Sequence, residues 1–167
     1  EPGKQLYQNT DPRHTTKRRG KLSRLNCSFL EFRSKIRTRR KLATKVRGVK
    51  GATTTTGTTA EDVLEATEQL LNAMIEANDI DQDDVAAVQF TTSPDLVAEF
   101  PAVAARERLG WNDVPLMCGH EMDRPGALTQ CIRILILWNT EKAQNEVMHA
   151  YLNDAATLRP DLSTATT

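Results

Sequence analysis

The segment Cys131-Ile132-Arg133-Ile134-Leu135-Ile136-Leu137-Trp138 sets one guanidinium into a run of strand-forming apolar residues. It reads as a buried β-strand. A guanidinium keeps its proton at any usable pH, and a buried unpaired charge costs several kcal/mol. Arg133 must therefore meet an anion, either a protein carboxylate or a ligand. Few other residues offer chemistry of their own. His14, His120 and His149 are scattered, and His120-Glu121-Met122-Asp123-Arg124 is not the His-Glu-x-x-His of zinc proteases. Cys27, Cys118 and Cys131 form an odd, widely spaced set, which argues against a disulfide framework and for a reducing compartment. Cys118 and Cys131 read as packed strand thiols. What remains is a handful of charged and polar residues beside apolar elements: Arg106 in an Ala-rich stretch, Glu121 after a strand, Arg133, Tyr151 ending another strand, and Arg159. Two readings fit them. Either Glu121 neutralises Arg133 and the other arginines are surface residues, or several cations converge on a ligand bearing carboxylates.

The elements that must position these residues follow from hydrophobic period. Residues 46–49 predict a short strand that Gly51-Ala52-Thr53 leaves. The Thr-rich loop around Gly57 is not a phosphate loop, because no Lys follows the second Gly. Thr58-x-x-Glu61 fits a capping box, and Val63, Ala66, Thr67, Leu70, Leu71, Met74 and Ile75 recur at helical spacing. A second strand is predicted over 85–92, ended by Ser93-Pro94-Asp95, with a helical turn over 96–100. Pro101 opens a helix that stops at Gly110. A third strand spans 114–118, with Pro115 marking an edge or a start. Pro125-Gly126-Ala127 opens a short helix, the Arg133 strand follows, and Val147, His149 and Tyr151 alternate as a last strand. A helical turn is expected over 155–158. This irregular alternation predicts an α+β fold, a mixed β-sheet packed with helices.

Charge divides the chain. Residues 1–45 hold 14 Lys and Arg against three acids, a net of +11, and residues 46–167 hold 8 against 19, a net of −11. The basic segment is expected to be disordered on its own. It reads as an organelle transit leader or upstream sequence in preference to a nucleic-acid-binding arm. The ordered domain is expected over residues 46–163, with residues 164–167 as a flexible tail. No apolar run reaches the length of a membrane span. A cytoplasmic location is expected, or a plastid one if the leader is a transit peptide.

Residues 46–163 resemble the AroH-type chorismate mutases. The matching text is Arg47-Gly48-Val49-Lys50-Gly51-Ala52-Thr53, Pro94-Asp95-Leu96, Phe100-Pro101-Ala102, Ala105-Arg106-Glu107, Gly110-Trp111, Val114-Pro115, Glu121-Met122-Asp123, Cys131-Ile132-Arg133, His149-x-Tyr151-Leu152 and Leu158-Arg159-Pro160-Asp161-Leu162. Each motif alone is weak; their joint spacing is specific. The resemblance implies a homotrimer arranged as a pseudo-α/β-barrel, with active sites at subunit interfaces. It also implies conversion of chorismate to prephenate, the branch step of aromatic amino acid biosynthesis towards phenylalanine and tyrosine. The reaction is an intramolecular [3,3] rearrangement needing no cofactor, no metal and no proton transfer.

The resemblance further implies roles for individual residues. Arg133 would stabilise the charge growing on the ether oxygen, and Glu121 would meet the substrate hydroxyl. Cys118 would contact that hydroxyl region mainly through backbone. Tyr151 would bond a carboxylate, as would Arg106 from a neighbouring subunit. Phe100, Ala102, Leu116 and Met117 would form an apolar wall, with Leu158 and Arg159 in a covering C-terminal segment. Two positions depart from the family pattern. Lys50 stands where a second arginine is usual, which keeps charge but loses planar two-pronged geometry. Val103 stands where Lys is frequent. A weakened mutase is therefore one alternative. A RidA-like trimeric small-molecule-binding or imine-hydrolysing protein is another, and the set Glu121, Arg133 and Tyr151 argues against it.

Overall fold

The computed structural model describes residues 44–161. The basic leader, apart from its last two residues, and the C-terminal tail lie outside the described residues. Five strands form one mixed sheet in the order β3-β2-β4-β1-β5. They are β1 (Lys45–Thr54), β2 (Val85–Thr92), β3 (Leu116–His120), β4 (Cys131–Thr140) and β5 (Ala150–Tyr151). The central strand β4 runs antiparallel to β1 and β2, whereas β3 is parallel to β2 and β5 is parallel to β1. Two helices, α1 (Ala60–Asn78) and α2 (Ala102–Glu107), accompany the sheet.

One face of the sheet is core. Val49 from β1, Val88 and Phe90 from β2, and Ile132, Ile134 and Ile136 from β4 pack with Val63, Leu70, Leu71 and Met74 of α1. Strand period 2 and helix period 3.6 thus converge on one apolar layer. Gly51 allows the closest approach of β1 to α1, since a Cβ there would collide with Met74 and Leu70. Arg108 ties the two helices together by meeting Glu68 at 3.0 Å and Glu61 at 2.7 Å. Among the described residues, no helix is long and apolar enough to cross a membrane.

Several sequence expectations shift. The strand expected to end at residue 49 continues to Thr54, because every residue from Lys45 to Thr54 pairs with β4. That continuous pairing overrides the weak strand preference of Gly51 and Ala52. The capping box sits one residue later than expected. Thr59 is the extended N-cap, its hydroxyl accepts from Asp62 N at 3.3 Å, and the Asp62 carboxylate accepts from Thr59 N at 2.9 Å. No helical turn covers 96–100. Ser93 Oγ accepts from Cys131 N at 2.9 Å and Asp95 Oδ2 accepts from Gln130 N at 2.8 Å, which ties the segment before them across to β4. The third strand starts two residues late because Pro115 has no N–H, although its carbonyl accepts from Val88 N at 2.9 Å. Residues 125–127 make a turn rather than a helix, with Gly126 at φ +77°. The last strand shortens to Ala150–Tyr151. The strand carrying Arg133 is buried on one face only, so the guanidinium belongs to the open face and not to the interior.

Candidate active site

Register defines the open face. Ala52 pairs with Arg133 and with Tyr151, and Thr91 pairs with Arg133 and with Gly119. Paired residues share a face, so Gly119, Thr91, Arg133, Ala52 and Tyr151 form one row across all five strands. The next row is Met117, Gln89, Leu135 and Lys50. Arg133 therefore stands at the middle of the sheet between two small neighbours, Thr91 and Ala52, which leave its guanidinium room. Lys50, Gln89, Thr91, Glu121, Arg133 and Leu135 line a common depression.

Glu121 reaches this row from the residue just after β3. Its backbone N donates to Thr92 O at 2.8 Å, which extends the sheet by one bond. The Thr91 hydroxyl donates to Glu121 Oε1 at 2.5 Å, and Arg133 Nη1 lies 3.5 Å from the same oxygen. Oε1 is thus occupied, while Oε2 is left as an acceptor. The Arg133 side chain is 19% exposed and that of Glu121 36% exposed. At that depth the pair is partly desolvated, yet one carboxylate oxygen at 3.5 Å leaves most of the five guanidinium N–H donors for another anion. A structural ion pair and a ligand-ready cation are therefore the same object here.

A larger cleft of ≈ 580 Å³ adjoins the pair and is lined by Arg133, Glu121, Asp95, Arg124 and Leu158 among others. Leu158 ends the 3₁₀ turn Asn153–Leu158, which follows β5. Arg159 then turns back near Tyr151 while binding Asp161 at 2.9 and 2.7 Å. The Asp161 hydrogen bonds hold the Arg159 guanidinium above its ordinary pKa. Lys50 N donates to His149 Nδ1 at 3.2 Å. Burial, and then the charges of Arg159 and Lys50, hold the His149 imidazole below its ordinary pKa.

The remaining candidates gather elsewhere. Phe100, 66% exposed, lines a second cleft with Thr92, Leu96, Pro101, Cys118 and His120. Cys118 pairs with Phe90 and Leu116 with Val88, so both side chains turn towards the core face, away from Arg133. Burial pushes the Cys118 thiol up, opposed by a backbone hydrogen bond with Ala102 and by the charge of Arg106. Ala102 is itself packed in the core at 4% exposure. Met117 alone of the expected apolar wall shares the face of Arg133. Within one protomer the candidates thus form two groups, Lys50, Glu121, Arg133, Tyr151, Leu158 and Arg159 on one side and Phe100, Ala102, Arg106, Leu116 and Cys118 on the other.

Sequence reasoning missed Thr91, whose hydroxyl holds Glu121, and assigned nothing to His149 or to Asp95. A threonine in a strand carries no signal that its hydroxyl will meet a carboxylate 30 residues away. Only the parallel register of β2 against β3, with Glu121 one residue beyond β3, brings them together.

Residues 46–162 match the family model described as chorismate mutase type I. Chorismate mutase AroH of Bacillus subtilis is 44% identical over 118 residues, covering 71% of this chain and 93% of that protein. Chorismate mutase AroH of Thermus thermophilus is 47% identical over 121 residues, covering 72% of this chain and 98% of that protein. Among solved structures, a chorismate mutase from Clostridium thermocellum superimposes with a TM-score of 0.64 at 42% identity, covering 66% of this chain and 97% of that one.

Proposed function

The chain belongs to the type I chorismate mutase family and is a chorismate mutase of the AroH type, an isomerase converting chorismate to prephenate; from that premise we propose how its residues perform the rearrangement. The reaction breaks an ether C–O bond while a C–C bond forms within the same molecule. The substrate is flexible and has to be held in a compact, chair-like arrangement. The reaction is unimolecular, so no second reactant has to be gathered; preorganisation acts only on substrate conformers. Electrostatic stabilisation of the transition state must then carry much of the acceleration.

Arg133 supplies it. Negative charge builds on the ether oxygen as the bond breaks, and a guanidinium fixed there binds the transition state more strongly than the ground state. Rigidity comes from the central strand and from Glu121, which meets Nη1 at 3.5 Å. The carboxylate of Glu121, aimed by Thr91, accepts a hydrogen bond from the substrate hydroxyl. Tyr151 and Lys50 take a carboxylate, and Leu158 and Arg159 cover the site. No side chain has to accept or deliver a proton.

The separation of the candidates into two groups supports a site completed between subunits. Arg106 of one protomer, with Phe100 and Cys118 of its second cleft, would face the Arg133 row of the next. A homotrimer closes such a head-to-tail interface into a ring. Val46, Leu135, Leu137 and Met117 on the open sheet face are apolar and Val46, Leu137 and Met117 are exposed at 53%, 37% and 61%, as an interface surface would be in an isolated protomer.

The observation that carries this reading is the half-buried Arg133, held by Glu121 yet left with open donors in a row with Tyr151. Loss of chorismate absorbance on adding the purified full chain tests it, with light scattering for subunit number. Turnover by a trimer is expected. Turnover unchanged in Arg133→Ala would sink the mechanism, and a monomer with full activity would sink the shared site.

A further inference from the structure

Strand β5 pairs with β1 over only Gly51–Ala150 and Ala52–Tyr151. One residue earlier, the Lys50 N–H finds a side chain instead of a backbone carbonyl, the His149 ring nitrogen Nδ1 at 3.2 Å. The ring is built into this seam. Before it, the buried Asn78 takes Met148 N at 2.8 Å and gives its amide to Met148 O at 2.8 Å. After it, Leu152 N donates to Ala52 O at 2.9 Å. His149 thus stands between an anchored residue and Tyr151, and opposite the backbone of Lys50.

A ring nitrogen that accepts a backbone N–H carries no proton, so the imidazole is neutral with its hydrogen on Nε2. A second proton would set Nδ1–H against the Lys50 N–H. It would also put a third positive charge beside two others, since Lys50 on β1 and Arg159 beyond β5 are the charged groups acting on this ring. Tyr151 lies two residues along the same strand, and Asp161 is already engaged by Arg159.

We infer that His149 is a positioning residue: its neutral imidazole pins the backbone of Lys50 to β5, so that Lys50 and Tyr151 are presented to the substrate together, and protonation of the ring releases that pin. The inference rests on the mutase reading of Lys50 and Tyr151. The rearrangement transfers no proton, so its chemical step has no pH dependence of its own near neutrality. Carboxylic acids ordinarily titrate near or below about pH 4.5, and amines of lysine type above about pH 10. A fall in kcat/KM between about pH 5 and about pH 6.5 therefore belongs to an imidazole.

The test is kcat/KM for chorismate on the full chain from about pH 5 to about pH 8, beside the ¹H–¹⁵N signal of the Lys50 amide over the same range. The wild type is expected to lose activity in acid with one ionisation, and the Lys50 amide to shift with that same ionisation. In His149→Leu, kcat/KM near pH 8 should fall by about three- to tenfold, the worth of one hydrogen bond, and the acid inflection should vanish. In His149→Asn, whose side-chain oxygen can accept at the Nδ1 position without titrating, kcat/KM should recover to within about threefold of wild type and stay flat in acid. A merely structural histidine would not give this rescue together with loss of the inflection. A Lys50 amide that does not titrate, or an acid inflection retained in His149→Asn, overturns the inference. No turnover by the wild type would overturn the mutase reading instead, and the amide titration would still decide the pin.

Discussion

Arg133 on β4 and Tyr151 on β5 stand in one row of the sheet with only Ala52 between them. Two strand spacings of about 4.8 Å set their backbones about 10 Å apart, a span that a small dicarboxylate fills. Ala52 matters by being small: it leaves the floor between a cation and a phenol open. Arg133 is further braced from the other side by Thr91 and Glu121. The site is thus a consequence of register, and one-residue slippage of β1 against β4 would turn Ala52 into the core and abolish it.

Removing Arg133 should separate chemistry from folding. Arg133→Ala is expected to lower kcat by about 10²–10³ or more, in line with the loss of one preorganised charge stabiliser. Arg133→Lys should recover only part of this, because an ammonium cannot hold Glu121 and the ether oxygen with one planar fork. Chorismate consumption measures the effect, and circular dichroism with light scattering checks that the assembly persists.

Lys50→Arg is expected to raise turnover. A guanidinium at this position would restore planar, two-pronged contact with the substrate. Side-by-side initial rates of parent and variant are sufficient, and an unchanged or lower rate would mean that this chain has compensated for lysine by other placement.

Asn78 should matter for stability. Its side chain is fully buried and bonds Met74 O at 2.9 Å as well as both backbone groups of Met148. Asn78→Leu would leave several buried polar groups unmet, at a cost of about 3 kcal/mol. Urea denaturation should show the midpoint falling, with the slope unchanged.

Asp79→Gly is expected to stabilise the protein by about 1 kcal/mol. Asp79 closes α1 in the left-handed region at φ 57°, and α1 has no basic residue in its last turn. Glycine removes both the Cβ strain and a carboxylate beside the negative end of the helix. Thermal melting of the variant is the check.

Acid should loosen the Asp95 tie. Burial pushes the Asp95 carboxyl up, but hydrogen bonds from Ser93 and from the Gln130 amide outweigh it and leave the pKa below the ordinary value. A carboxylate lowered on folding stabilises the fold above its unfolded pKa of about 4, and that contribution is lost as pH falls through the folded value. Stability of Asp95→Asn should therefore depend less on pH below about pH 4.5 than that of the parent. Equal acid sensitivity in both would remove Asp95 from the account.

Much of the fold could be read along the chain. The stripe from Val63 to Met74 and the alternation of 85–92 each follow from a local period, and both elements form where the period puts them. The aromatic and branched run after Cys131 likewise forms a strand. Where the reading failed, a distant partner was responsible. β1 runs on through Gly51 because β4 lies beside it. The segment after Asp95 does not coil because Asp95 is already bound to Gln130, at the start of β4.

For the site, the sequence by itself determined which residues have chemistry to offer. A permanent cation in an apolar strand and a carboxylate after another strand follow from residue type, and the motif spacing from Arg47 to Leu162 specifies the family. Tertiary structure alone decided that Arg133 lies on the open face rather than within the core, that Thr91 aims Glu121, and that His149 takes the Lys50 N–H. It also decided that Cys118 and Leu116 turn from the face of Met117. The physical reason is that period 2 fixes which residues share a face, but not which face meets the helices or what stands opposite. Those are properties of pairing between strands far apart in sequence, and they exist only once β4 lies between β1 and β2 with β3 and β5 beyond them.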